Sequence, residues 1–220
     1  MSTLALHPPA AAPRVSDTRH RLLVSAIRLF GAHGFDATTV RDIVEDAGQN
    51  VSAIKYHFGS KEDLFDACAR AVADRLRQEG AGALIRDGAW RAQATTPAGA
   101  RDTIRAVIRV VLQDALRPDR SDESRFLRRE IIHTGRRADL LFDHVLGEHL
   151  AFMTGLVDMA EGIGDPTRAR ARALAIILQV VLLLSSTHFL ALGMGWSAAS
   201  DHIADIVDAV YPIHQPGGTR

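Results

Sequence analysis

Residues 38–63 read TTVRDIVEDAGQNVSAIKYHFGSKED, and this stretch decides the fold. Thr39 stands three positions ahead of Asp42, the spacing of a capping box in which each side chain satisfies the other's backbone amide, so a helix starts there. Val40, Ile43, Val44 and Ala47 then recur at i, i+3, i+4 and i+7, one face of a helix, and Gly48 ends it. Beyond the corner Gln49-Asn50, with Asn50 as the next N-cap, Val51, Ile54 and Phe58 fall on one face of a second short helix. They are expected to pack against the first apolar stripe. The opposite side carries Ser52, Ala53, Lys55 and Tyr56, small or hydrogen-bonding groups that let a helix sit in a major groove and reach base edges. Gly59 closes this helix. Ser60 and Asp63 repeat the capping-box spacing ahead of a third helix whose first-turn amides can hold a phosphate, with Lys61 beside that position.

Two short amphipathic helices around a glycine turn also occur as plain helical-hairpin packing, and the tail of the segment separates the two readings. YHFGSKEDLF following TTVRDIVEDAG at this spacing resembles the DNA-binding domain of the tetracycline-repressor (TetR/AcrR) family of bacterial transcription regulators, over roughly residues 18–70. The resemblance implies that Thr39 and Arg41 approach DNA at the start of the first helix of a helix-turn-helix. It further implies that Asn50, Ser52, Ala53, Lys55, Tyr56 and His57 belong to the recognition helix and that Lys61 contacts phosphate. Gln49 departs from the family pattern, which has an apolar residue there, and bears on the packing of the turn. REIIH at Arg129–His133 is similar to a CerR-like subgroup of the same family.

Outward from this segment, 220 residues with 47% apolar and 24% charged content suffice for a compact helical body or two small domains on one framework. No long strand-like alternation occurs, so the fold class is all-α. The expected organisation is an arm at 1–15, disordered, and a three-helix helix-turn-helix domain at 16–62. A helix at about 61–78 links it to a helical ligand-binding and dimerisation domain at 79–213, followed by a disordered tail at 214–220. The formal net charge of zero argues against a broad nucleic-acid coat. Within 14–61, seven basic residues against five acids give only +2, so DNA affinity must come from placed contacts. The chain's only lysines, Lys55 and Lys61, both lie in this module. In the arm, Arg14, and beyond it Arg19 and Arg21, either touch DNA or belong to a solvated leader. A lone cysteine, Cys68, and the lack of a secretory signal suit the cytoplasm.

The apolar positions Leu22, Leu23, Ala26, Ile27 and Phe30 predict a buttressing helix over 17–33, ended by the GAHGF break. Phe65, Cys68, Val72 and Leu76 carry the third helix to about Arg77 as a rigid connector. Residues 80–97 read as a short helix and a loop, and helices follow over 98–116, around Phe126, over 138–163, over 167–194 and over 197–211. Ala173–Met194 contains no charge. Its length meets the transmembrane criterion, but Gln179, Ser185, Ser186, Thr187 and His188 interrupt it, so no membrane partner is expected. A helix apolar on every side needs cover on every side, and a second subunit is the expected cover. The family resemblance likewise implies a homodimer through the last two helices, about 167–194 and 197–211.

Polar groups in the body offer ligand-facing candidates. His188, with Ser185 and Thr187, is either a pocket group or a satisfied interhelical hydrogen bond. Glu130 and His133 form either a buried polar cluster or a salt-bridged surface, and Trp90, Phe126 and Phe152 serve the core before they line a pocket. His144, Glu148 and His149 share a helical region without HExxH order or an evident third ligand. No phosphate loop, zinc spacing or nucleophile motif is present, so no cofactor and no enzymatic activity are expected. The resemblance implies a repressor that binds a double-stranded, palindromic operator and is released by a small-molecule effector. The alternatives are a helical small-molecule-binding protein or an enzyme, neither of which would recognise an operator.

Overall fold

A computed structural model of the chain describes residues 15–117, 121–132, 142, 146–186, 192–195 and 199–212. The described residues form helices and turns with no strand. Four helices open the chain: α1 (Val15–His33), α2 (Val40–Asp46), α3 (Val51–His57) and α4 (Lys61–Gln78). The short α5 (Gly80–Asp87) and α6 (Trp90–Gln93) replace the single helix and loop expected over 80–97, with Gly88 in the left-handed region at φ 70° turning the chain between them. The body continues with α7 (Pro97–Ala115), α8 (Ser121–Ile132), α9 (Gly147–Glu161), α10 (Pro166–Ser185), a 3-10 turn (Ala199–His202) and α11 (Ile203–Val210).

Two apolar clusters organise these helices. The first buries Leu22 and Phe30 of α1, Ile43 of α2, Ile54 of α3, and Leu64 and Phe65 of α4. Phe65 is its hub, with ring centroids 5.2 Å from Phe30, 5.3 Å from Phe35 and 5.2 Å from Phe126. α1 stops where Thr38, itself buried, donates its hydroxyl to the carbonyls of Gly34 at 2.8 Å and Leu29 at 3.2 Å. Such a bond satisfies helix-end acceptors that would otherwise be buried without partners. The second cluster joins Ile104, Val107 and Ile108 of α7 to Leu150 and Met153 of α9, Ile176 and Val180 of α10, and Val207 of α11. Asp165 caps α10 by accepting from the amides of Thr167 and Arg168 at 2.8 and 2.9 Å, with Pro166 in the first turn where its missing N–H costs nothing.

α8 departs from its expected place. It lies along α1 rather than inside the body, and Phe126, 0% exposed, belongs to the first cluster. Gly31 permits the approach, because a Cβ there would meet the Phe126 backbone nitrogen at 2.9 Å and the Asp122 carbonyl oxygen at 3.1 Å. Arg129 donates to the carbonyl oxygens of Ala32 at 3.3 Å and His33 at 2.9 Å, the acceptors left open where α1 ends. Glu123 pairs with Arg75 of α4, so α8 is tied to the connector as well.

Helix bounds in the second half also differ from expectation. Of the helix expected over 138–163, Phe142 and Leu146 are described and helical and α9 runs from Gly147; 138–141 and 143–145 lie outside the described residues. The helix expected to run to Met194 ends at Ser185, residues 192–194 are again helical with 187–191 outside the described residues, and the last helix opens as the 3-10 turn before α11. α10 buries Ala173, Ile176, Val180 and Leu184 but leaves Leu178 and Leu182 45% and 63% exposed, so one apolar face is open among the described residues. Among the described residues no helix is long and apolar enough to cross a membrane.

Candidate nucleic-acid interface

The capping box at α2 is formed as its spacing predicts. The Thr39 hydroxyl accepts from the Asp42 amide at 3.1 Å, and an Asp42 carboxylate oxygen accepts from the Thr39 amide at 2.8 Å. The amide and hydroxyl of Thr39 hold the Asp42 carboxyl below its usual range. α2 ends at Ala47, and Gly48, at φ 62° with open space around it, turns the chain so that the Gln49 amide donates to the Val44 carbonyl at 2.7 Å. Gln49 is half-buried, its Nε2 reaching the Ala47 carbonyl at 3.5 Å, so a polar side chain fits this turn without an apolar neighbour replacing it.

α3 starts at Asn50, whose Oδ1 accepts from the Ala53 amide at 3.0 Å and from the Ser52 hydroxyl at 2.6 Å. Ile54 is the buried anchor of α3, with Phe58 just beyond the helix also packed on the first cluster. Val51 is not part of that seam: it is 54% exposed. At the first position after the cap its side chain stands clear of the packed face, a placement that the helical period alone does not reveal. Ser52, Lys55 and Tyr56 are exposed with it, and Ala53 and His57 are half-buried. The Tyr56 ring, 78% exposed, meets the His57 ring edge-on at 4.9 Å. Thr39 and Arg41 are exposed at the start of α2.

At α4 the second capping box closes only in part. Ser60 accepts from the Asp63 amide at 3.0 Å, but the Asp63 carboxylate takes the Ser60 hydroxyl, at 2.6 Å, instead of the cap amide. Lys61 is half-buried with Nζ 4.2 Å from the centroid of the Phe35 ring. Arg19 of α1 lies over Phe58 at 5.0 Å, and Arg28 of α1 pairs with Asp46 of α2, so α1 braces both short helices.

A cavity of about 160 Å³ lies where α4, α5, α7, α8, α9 and α10 meet, walled mainly by aliphatic side chains such as Leu76, Val107, Ile108 and Leu127. Of the six side chains expected to line a pocket, Phe152 does so. Trp90 stands behind it, its ring edge-on to Phe152 at 4.6 Å and its indole N–H donating to the Ile85 carbonyl at 3.1 Å. Phe126 belongs instead to the first cluster. Glu130 is buried on the same helix but does not line the cavity, and burial raises its carboxyl above the ordinary range, Arg129 lowering it and Asp36 raising it further. Both residues were expected in the pocket because α8 was expected in the body. His133 and His188 lie outside the described residues, as does His144; His149 lines the cavity and Glu148 is exposed. The described residues hold no group of three or more His, Cys, Asp or Glu side chains suited to a metal ion.

Two short helices joined by a glycine turn, the second with a buried anchor and an outward polar face, define a helix-turn-helix DNA-binding protein. Residues 22–68 match the family model described as bacterial regulatory proteins, tetR family. The chain is 28% identical over 213 residues to the HTH-type transcriptional dual regulator CecR of Shigella flexneri, covering 94% of this chain and 93% of that protein. It is 41% identical over 69 residues to the HTH-type transcriptional repressor AcnR of Corynebacterium glutamicum, covering 31% of this chain and 37% of that one. A solved bacterial regulatory protein of the tetR family from Rhodococcus RHA1 shares the fold at a TM-score of 0.61, with 18% identity over 88% of this chain and 95% of that one. Residues 22–68 thus carry the tetR-family DNA-binding segment, and over nearly its whole length the chain is similar to a transcription regulator.

Proposed function

We propose that the protein is a homodimeric repressor acting in the cytoplasm, that its two α3 helices enter successive major grooves of a pseudo-palindromic operator, and that a small molecule in the body cavity releases it. Half-sites then lie about one helical turn, roughly 10 bp, apart or slightly more. The observation that carries the reading is the division of α3 between the buried anchor Ile54 and the exposed group Ser52, Lys55 and Tyr56. The hydrogen bonds refine the roles. Ser52 gives its proton to Asn50 and so offers DNA an acceptor, whereas Asn50, its oxygen engaged twice, offers its amide Nδ2. Lys55 and Tyr56 supply donors at base edges, Ala53 and Val51 suit thymine methyls, and Thr39, Arg41, His57 and Lys61 serve the backbone. Lys61 leaves the Phe35 ring to reach phosphate.

The exposed Leu178 and Leu182 of α10, with Leu192 and Met194, supply the apolar surface for the second subunit, and α11 packs against α10. The cavity is bounded by both the connector α4 and by α8, so a ligand there touches the two helices that meet the DNA-reading head. A ligand releases DNA by binding the dimer whose heads are wrongly spaced better than the one that fits the operator. Selection of bound sequences from random duplex DNA by the purified protein tests the reading: enrichment of an inverted repeat supports it. A properly dimeric sample that enriches nothing overturns it.

A further inference from the structure

The ligand class is written in the three arginines of α8. Arg125 pairs with Asp122 at 3.0 Å, and Arg129 is engaged by the carbonyls of Ala32 and His33. Arg128 faces the cavity, and among the described residues no carboxylate or carbonyl accepts from it. It is half-buried, and burial weakens its hold on its proton, with Arg125 adding repulsion. The other charges at the cavity are already engaged: Glu123 pairs with Arg75, and Asp114 and His149 have partners of their own. The remaining wall is mainly aliphatic, with the Phe152 ring and the Ser124 hydroxyl beside it. A partly desolvated guanidinium beside hydrocarbon is an incomplete ion pair, and its planar fork matches a carboxylate.

The cavity measures about 160 Å³. A dry apolar cavity of about 150 Å³ holds benzene, so the body of the ligand is of one-ring size. We infer that the effector is a small organic monoanion, a carboxylate on an apolar body of about one ring, held by Arg128 against the aliphatic wall. This inference rests on the reading of the cavity as an effector site. A neutral ligand of the same shape offers Arg128 at most an uncharged acceptor, which makes the weaker bond, and a cation meets its repulsion.

Calorimetric titration of the full-length protein with benzoate, benzamide and benzylamine tests it, beside the same titrations of Arg128→Met. Benzoate is expected to bind about ten- to a hundredfold more tightly than benzamide, the value of a hydrogen bond to a charged group. In Arg128→Met that preference vanishes while benzamide binding stays. Arg128→Lys keeps the charge without the fork and retains a reduced preference, so a poorly folded methionine variant does not leave the matter open. Benzamide or benzylamine binding as tightly as benzoate, or a preference that survives Arg128→Met, overturns the carboxylate inference and leaves the effector cavity standing. A protein that binds its operator but none of the three probes overturns both.

Discussion

Replacing Gly31 with alanine tests the seat of α8 on α1, because two effects of known size oppose each other there. Alanine in place of a helical glycine contributes about 1 kcal/mol through backbone entropy. The added Cβ, however, would lie 2.9 Å from the Phe126 backbone nitrogen and 3.1 Å from the Asp122 carbonyl oxygen. Ordinary contact begins at about 3.5 Å, so α8 must retreat by roughly half an ångström, and backbone atoms cannot swing aside as a side-chain tip can. Overpacking of this kind costs about 1–3 kcal/mol. The net is a loss of up to about 2 kcal/mol, a fall of about 4–8 °C in melting temperature for a chain of this length. Gly155 is the matched control: it lies within α9, and nothing comes within 4 Å of a Cβ there. Gly155→Ala should therefore raise the melting temperature by about 2–4 °C. Calorimetric melts of both variants decide the matter. If Gly31→Ala melts higher, as Gly155→Ala does, then α8 is not held against α1 and the packing argument is refuted.

On the proposed reading the lysines should separate by role: in fluorescence anisotropy with a panel of duplexes, Lys61→Ala should weaken binding to all sequences and flatten the salt slope, whereas Lys55→Ala should change which sequences are preferred. Equal losses on every duplex from both variants would contradict the assignment. Glu130 is predicted to oppose folding at neutral pH, since burial raises its pKa above the ordinary 4.5. The folded state then holds the proton more tightly than the unfolded one. Its favourable contribution is complete below about pH 4.5 and is lost as pH rises through the folded pKa. Glu130→Gln should remove that part of the pH dependence in denaturant titrations, and an unchanged profile would show that the carboxyl is not desolvated. Leu182, 63% exposed on α10, tests the dimer: Leu182→Glu should yield monomers by sedimentation velocity, and a dimer of undiminished affinity would place the interface elsewhere.

What the sequence disclosed follows from how local each signal is. Thr39, Asp42, Gly48 and Asn50 act over three or four residues, and the helix starts and turn they predict are all formed. Ile43, Val44 and Ile54 are buried as their spacing requires. Val51 has the same spacing and is exposed, because period gives a direction around the helix axis but not where the neighbouring helix ends. Phe126 was illegible for a different reason. Nothing within its own turn shows whether an amphipathic helix packs on the body or on α1, more than ninety residues away in sequence. A signal existed at the other end: Gly31 sits inside a helix that would be more stable with alanine, and such a glycine marks a close approach. The cavity was equally hidden, since its walls come from six helices and any one of them reads as ordinary core.

The position of α8 also bears on whether so small a cavity can govern operator binding. Allosteric coupling between two sites is typically about 1–3 kcal/mol, a five- to 150-fold change in affinity. The polar contacts that hold α8 are of that size: two hydrogen bonds from Arg129 to the end of α1 and the Arg75–Glu123 pair, all partly open to solvent. Leu127 and Arg128 line the cavity while Phe126 and Arg129, their immediate neighbours in sequence, hold the head. A ligand cannot displace the first pair without moving the second, because they share one rigid helix. The Phe126 ring packs at a tilt of 50° against Phe65 of α4, the helix that begins directly after α3, and close-packed aromatic rings transmit such a shift instead of absorbing it. On the proposed reading, a ligand therefore need not unfold anything to release DNA. It need only prefer the seat of α8 that the operator-bound dimer disfavours, by a free energy that contacts of this size can supply.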